Sequence, residues 1–299
     1  NTLVPMVKLE NYSGLTKKQE DLLKKHYCYG SFALLNINLS QSDFVFHTRA
    51  AAKHPNTLVP ILASSWLQMR NNSLSLKSKL RTDGLTHFIF EMTPKSIVEN
   101  TKLKAEWKVS QVKGVQNAEP SATLEYSIPS AKAKLTFVEN PLQLKGNLTI
   151  GKPQYGVGFD GKFDLTSQKL SGYNLALWFF RKHSKVVLKH VGTNADELAL
   201  GNVELSYYQK LSPLAHFGSK VTTKLAGGET SIEFGGDYKY DENTLLKGKL
   251  NTDGKLGLAM SRQLNKAMTF TVGSEIDTKE VAANRFHDYK LGFRLDFYH

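Results

Sequence analysis

Cysteine is almost absent: Cys28 is the only one in 299 residues, which excludes an internal disulfide framework and any thiolate metal cluster. Long apolar runs are missing too. A membrane-spanning helix needs about 20 nearly uninterrupted apolar residues, whereas the most apolar stretch, Leu175 to Phe180, is short and runs into Arg181, Lys182 and His183. With 40% hydrophobic residues and a mean hydropathy of -0.34, a helical membrane bundle is excluded. Acidic residues are the scarcer charge, 27 against 39 basic, for a net +12 with His neutral. That balance favours an anionic partner such as phosphate, nucleotide, nucleic acid or a membrane surface. The nine His show no metal-ligand spacing, so neither metal nor cofactor is expected, and no nucleophile-elbow motif points to an enzyme. No basic helix or aromatic RNA motif accompanies the charge, so nucleic acid is not an expected partner.

What the chain does have is period-two alternation. Leu74, Leu76 and Leu80 alternate with Ser75, Lys77, Lys79 and Arg81. Leu103, Ala105, Trp107 and Val109 sit between Lys102, Lys104, Glu106 and Lys108. Tyr155, Val157, Phe159 and Phe163 alternate with Gly156, Gly158, Asp160, Lys162 and Asp164. Such segments are strands with one apolar and one polar face. About nineteen are expected, among them 121–128, 155–165 and 172–180, separated by hairpin signals such as Thr82-Asp83-Gly84 and Thr252-Asp253-Gly254. The N-terminus differs. Thr16 to Gln19 has the form of a capping box, and Lys17 to His26 reads as a short, weakly amphipathic helix that needs a surface to lie on.

A membrane strand takes about 9 to 11 residues and a turn about four, so nineteen strands with an N-terminal piece account for the whole length. Closure follows from the solvent, because an unpaired strand edge in hydrocarbon leaves backbone groups unsatisfied. With an odd number of strands, the first and last run the same way and must pair in parallel. The expected fold is therefore all-β: a transmembrane β-barrel of about nineteen strands with a short N-terminal α-helix. Residues 1–31 form the helical segment and 32–299 a single barrel domain. A barrel also reconciles a polar average with a membrane, since lipid-facing residues are apolar while the alternate ones face a wet lumen.

The C-terminal run Leu246 to Asn251, Gly254, Leu256 to Leu264 and Met268 to Val272, ending in Tyr289 to Phe297, resembles the mitochondrial voltage-dependent anion channels, the eukaryotic porins. Tyr27-Cys-Tyr-Gly30 after a short helix is similar to the family's lead into its first strand. The resemblance implies a mitochondrial outer-membrane channel for small anions and metabolites, including adenine nucleotides, weakly anion-selective and voltage-gated. It implies that the helix lies in the bore, and that Lys290, Gly292, Leu295 and Phe297 form the barrel-insertion signal. Ser78 stands where the family's membrane-facing glutamate is expected.

The polar faces supply the candidate anion-selecting lining: Lys77, Lys79, Lys102, Lys104, Lys108, Lys132, Lys134, Lys145, Lys162, Lys247 and Lys249. The candidate gating helix carries Lys17, Lys18, Leu22, Leu23, Lys24 and Lys25, with Gly30 as its hinge. Gly156 to Gly161 matches a dinucleotide fingerprint but continues a strand instead of opening a helix, so it reads as coincidence. Expected partners are membrane lipid, anionic metabolites and nucleotides, with a homo-oligomer or a membrane supercomplex as further assemblies. Two alternatives stay open: the central barrel of the outer-membrane protein translocase, in which an acidic bore is expected, and a structural barrel subunit of a larger membrane complex.

Overall fold

The computed structural model describes residues 9–29, 33–41, 43–52, 61–71, 73–93, 100–112, 115–192, 201–282 and 289–298, with the backbone alone at 111, 112, 115, 116 and 282. Gly30 and the segment 53–60 lie outside the described residues, as does most of 93–101. A 3-10 turn, Tyr12–Gly14, precedes the helix α1, Lys17–Lys24. The strands are β1 Ala33–Gln41, β2 Phe44–Ala52, β3 Ile61–Arg70, β4 Leu74–Arg81, β5 Thr86–Met92, β6 Thr101–Val112 and β7 Val115–Ile128. There follow β8 Ala131–Val138, β9 Gln143–Lys152, β10 Tyr155–Asp164, β11 Lys169–Phe180, β12 Ser184–Gly192 and β13 Asn202–Lys210. The last are β14 Ala215–Lys224, β15 Thr230–Lys239, β16 Thr244–Asn251, β17 Lys255–Asn265, β18 Met268–Asp277 and β19 Tyr289–Tyr298, with a short helix α2, Thr278–Ala282, before β19.

All nineteen strands belong to one closed sheet in which sequence neighbours pair antiparallel. The seam is the parallel pair β1 and β19, running from Ala33 opposite Phe293 to Asn38 opposite Tyr298, as the odd strand number requires. A buried polar cluster pins its register. Asn36 Nδ2 donates to Asp296 Oδ1 at 2.7 Å, and Arg294 Nε donates to the same oxygen at 2.9 Å. Asp296, 3% exposed, thus ties the last strand to the first through the charge-assisted bond from Asn36, while Arg294 of the same strand neutralises its carboxylate.

The alternation places the apolar set outside. Leu80, Trp107 and Leu177 are each more than half exposed, whereas Thr149 and Thr271 are fully buried on the inner face. A soluble protein would reverse that order; a lipid-facing barrel requires it.

Two strands are longer than the alternation predicts. β7 begins at Val115, where 121 was expected because Pro120 interrupts the run. Proline is tolerated there since β8 stops pairing at Ser121 opposite Val138, so the missing N–H costs no ladder bond, while Pro120 O still accepts from Glu139 N at 3.1 Å. β11 begins at Lys169 through a register shift in which Lys162 faces Gly172 and Phe163 faces Leu170. The extra residue, Ser171, hides the period-two pattern.

The helix is shorter than expected. α1 ends at Lys24 because His26 takes a left-handed conformation, φ 74°, which turns the chain out of the helix. The capping box does not form either. The Thr16 side chain makes no cap bond and instead donates to Glu20 Oε1 at 2.7 Å.

Candidate pore and the segment laid along its wall

The eleven candidate lysines occupy strand positions that alternate with the exposed apolar ones, on the inner face of the barrel. Several are not free charges. Lys102 pairs with Glu91 at 2.8 Å, Lys134 with Glu125 at 3.3 Å and Lys249 with Glu233 at 2.9 Å. Lys104 and Lys108 share Glu106. Lys77 lies over the Trp66 ring, 4.2 Å from its centroid. Lys247 does something different. Its Nζ donates to the carbonyls of Asp21 at 2.9 Å and Lys25 at 3.0 Å, so it caps the negative end of α1. Among the described residues, Lys79, Lys132, Lys145 and Lys162 have no carboxylate within ion-pair distance.

The N-terminal segment runs along the inner wall from β9 to β19. At its start, Lys185 Nζ donates to Glu10 Oε1 at 2.5 Å and Thr149 Oγ1 to Glu10 O at 3.4 Å. Leu9, Tyr12 and Leu15 pack on Ala176, Trp178, Phe180 and Val187, an apolar patch on the inner face of β11 and β12. Lys189 Nζ then donates to Thr16 Oγ1 at 3.0 Å. Leu22 and Leu23 face β14 and β15 and are 4% and 1% exposed, while Lys17, Lys18, Lys24 and Lys25 are exposed, Lys18 reaching over the Tyr208 ring of β13 at 5.9 Å. Beyond α1, the Tyr27 ring sits under Lys249 at 5.1 Å, and Cys28 Sγ donates to Gly292 O at 3.0 Å.

This close approach depends on what the wall lacks. A Cβ added at Gly218 would lie 2.7 Å from Leu22 Cδ2, and one at Gly158 would lie 2.9 Å from Tyr12. Gly158, the middle glycine of the apparent dinucleotide fingerprint, therefore serves the docking of residue 12.

Charge within the docked segment is tuned by the contact. Burial, reinforced by Lys247, Lys25 and Arg294, pushes the His26 imidazole down to about 4, so it is neutral at pH 7. For Glu20 burial acts upward, but the Thr16 hydroxyl with Lys24 and Lys189 prevails and holds the carboxyl below its ordinary value. Burial pushes the Cys28 thiol up, keeping it protonated and unreactive.

At the C-terminal candidate signal, Lys290 and Gly292 stand on the inner face and Leu295 and Phe297 on the outer one. Lys290 pairs with Glu275 at 3.0 Å. The sequence reading missed Glu10, Lys185 and Lys189, which clamp the segment. A signal existed: from Leu175 to Phe180 both faces of β11 are apolar, and a lipid-facing strand that is also greasy inside must be covered from within. α2 also had its sign, Asp277 three residues before Glu280. Its Oδ1 accepts from Lys279 N at 3.0 Å and Glu280 N at 3.3 Å.

A closed barrel of nineteen strands, apolar outside and basic within, with a helix docked inside, can conduct solutes, and its described residues display no constellation for bond chemistry. Comparison with known proteins agrees. The eukaryotic porin family model matches residues 10–292. The mitochondrial outer membrane protein porin of Candida albicans is 22% identical, covering 96% of this chain and 98% of that one. The voltage-dependent anion-selective channel of Drosophila melanogaster is likewise 22% identical over 96% and 98%. Among solved structures, a double mutant of Rh. blastica porin superposes with a TM-score of 0.52 at 9% identity, covering 84% of this chain and 95% of that one, a likeness of fold alone. The chain belongs to the eukaryotic porin family and is a channel-forming β-barrel of the mitochondrial outer membrane.

Proposed function

We propose that the protein is a passive diffusion pore that favours small anions and anionic metabolites, adenine nucleotides among them. One observation carries the reading: the distribution of inward charge on the wall that the N-terminal segment leaves clear, β1 to β8. There Lys77, Lys79, Lys102, Lys104, Lys108, Lys132 and Lys134 outnumber Glu91, Glu106, Glu119 and Glu125. Fixed cations on low-dielectric walls raise the local concentration of anions without binding them tightly, which selects while still letting solutes leave. A basic bore also weighs against the passage of positively charged presequences. α1 occupies part of the cross-section, and its exposed Lys17, Lys18, Lys24 and Lys25 add to the field.

The test is the reversal potential of the purified protein in a planar bilayer under a potassium chloride gradient. Chloride preference is expected, shifting toward potassium in a Lys79→Glu, Lys132→Glu double variant. A cation preference in the unmodified protein would overturn the reading.

A further inference from the structure

The hairpin turns that join β9 to β10, β11 to β12 and β13 to β14 lie side by side on one rim of the barrel. They are laced together through the backbone: Phe180 N donates to Gln154 O at 2.5 Å, and Lys210 N to His183 O at 2.7 Å. Their relative positions are therefore set by the fold and not left to loop motion. Residues 152–155, 180–185 and 209–216 contain Lys152, Arg181, Lys182, Lys185 and Lys210 and no Asp or Glu. Lys185 is consumed by Glu10. Among the described residues, the other four have no carboxylate partner. The neighbouring turn of the same rim, between β15 and β16, carries Asp241 and Glu242, so the excess of positive charge ends on that side of the arc.

The outer side of the arc has the character of a lipid headgroup level. Tyr155 and Phe179 are opposite each other in the ladder, point outward and are about half exposed. Each carries a cation above its ring: Arg181 Cζ is 5.3 Å from the Phe179 centroid and Lys152 Nζ 5.9 Å from that of Tyr155. Rings reaching into the apolar layer with cations above them are the interfacial arrangement that holds a phosphate over acyl chains. Leu211 and Leu214, exposed on the next turn, extend the apolar side. Behind the turn, a cavity of about 490 Å³ opens between the rim and the N-terminal segment and is lined by Lys18, Arg181, Lys182, Tyr208 and the Glu10–Lys185 pair, whose charges cancel.

We propose that this arc is a binding site for a phospholipid whose headgroup carries two phosphates, one above the Tyr155 and Phe179 pair and one at the mouth of the cavity. Unpaired cations on both sides of one rigid turn exceed what a single monoanionic phosphate can neutralise, and a dianionic head spans them. A soluble anion would use the cavity alone and leave the outward aromatic pairs idle.

The full-length protein, refolded in detergent with mixed phosphatidylcholine and cardiolipin, is examined by native mass spectrometry for retained lipid. Cardiolipin is expected to be retained by the unmodified chain and lost by the Arg181→Gln, Lys182→Gln double variant, with affinity roughly thirty-fold lower at about a fivefold loss per cation. Lys239→Gln with Lys266→Gln, the same charge change on the next two turns of this rim, outside the arc, retains it. Should the first variant fail to fold, Lys152→Gln with Lys210→Gln carries the same expectation. Equal retention by all variants, or equal loss from both arcs, overturns the proposal. So does displacement of the lipid by inorganic pyrophosphate, which would mark a soluble-anion site, or by polyglutamate, which would mark a protein-docking surface. The readout is bound lipid and not ion flow, so its outcome is independent of the selectivity measurement.

Discussion

The barrel has two unlike halves. From β9 to β19 the inner wall is covered by the N-terminal segment; from β1 to β8 it is bare. On the covered wall three lysines are spent on holding the segment: Lys185 on Glu10, Lys189 on Thr16 and Lys247 on the end of α1. Carboxylates balance many of the rest, as with Lys220 and Glu204 at 3.0 Å. On the bare wall none is spent on the segment: Lys102, Lys104, Lys108 and Lys134 pair with glutamates of the wall, and the excess, Lys79 and Lys132 among it, faces water. The same residue type thus holds a helix in place on one side and sets an electric field on the other. What decides is whether a backbone carbonyl of the segment, or a carboxylate of the segment or the wall, lies within reach.

The comparison is broken most severely by charging the covered face. Replacing Leu22 and Leu23 with Asp puts two carboxylates where the leucines are buried against β14 and β15, at a cost of several kcal/mol. α1 is expected to leave the wall, and Cys28, sealed at 4% exposure, to become reactive. Thiol labelling should accelerate by orders of magnitude; unchanged labelling would mean that docking does not depend on those leucines.

Lys247→Met tests the helix-end contact alone. Removing a cation from two carbonyls at a helix C-terminus should weaken docking by about 1 to 2 kcal/mol, a partial gain in Cys28 labelling. Lys132→Met, on the bare wall, should leave labelling unchanged and move only the reversal potential.

Acid sharpens the contrast. His26 titrates near 4 when docked and near 6.5 when released, so the released state takes up its proton first. Docking is therefore at full strength above about pH 6.5 and weakens as pH falls toward 4. Glu20, held below its ordinary value, adds to the loss only as pH falls through the carboxylate range. Channel noise and Cys28 accessibility should both rise over the His26 window, and His26→Gln should remove that component. A pH profile unaltered by the substitution would refute the assignment.

The smallest effect is expected at Gln19. It is 3% exposed, and neither side-chain amide atom has a protein partner among the described residues. Gln19→Met, similar in size and without polar atoms to desolvate, should strengthen docking by about 1 kcal/mol, read as slower Cys28 labelling.

Much of the fold was legible because a barrel writes itself in a period of two. Leu103 to Val109 could only be a strand with lipid on one side and water on the other. An odd number of such strands required the parallel seam later found between Ala33 and Phe293. The pattern failed where a local device broke it, at Pro120 in β7 and at Ser171 in β11. The inner site was less legible. Lys132 and Lys247 look alike in sequence, since each alternates with apolar neighbours; they differ because α1 ends over one and not the other.

By itself, then, the sequence determined the strands, their two faces, the closure of the barrel and the sign of its charge. These follow from alternation along the chain and from the need to satisfy every backbone group in hydrocarbon. Only the tertiary structure decided which lysines remain free. That depends on a contact between residues as distant as Asp21 and Lys247, brought together by the path of one short segment along glycines such as Gly158 and Gly218.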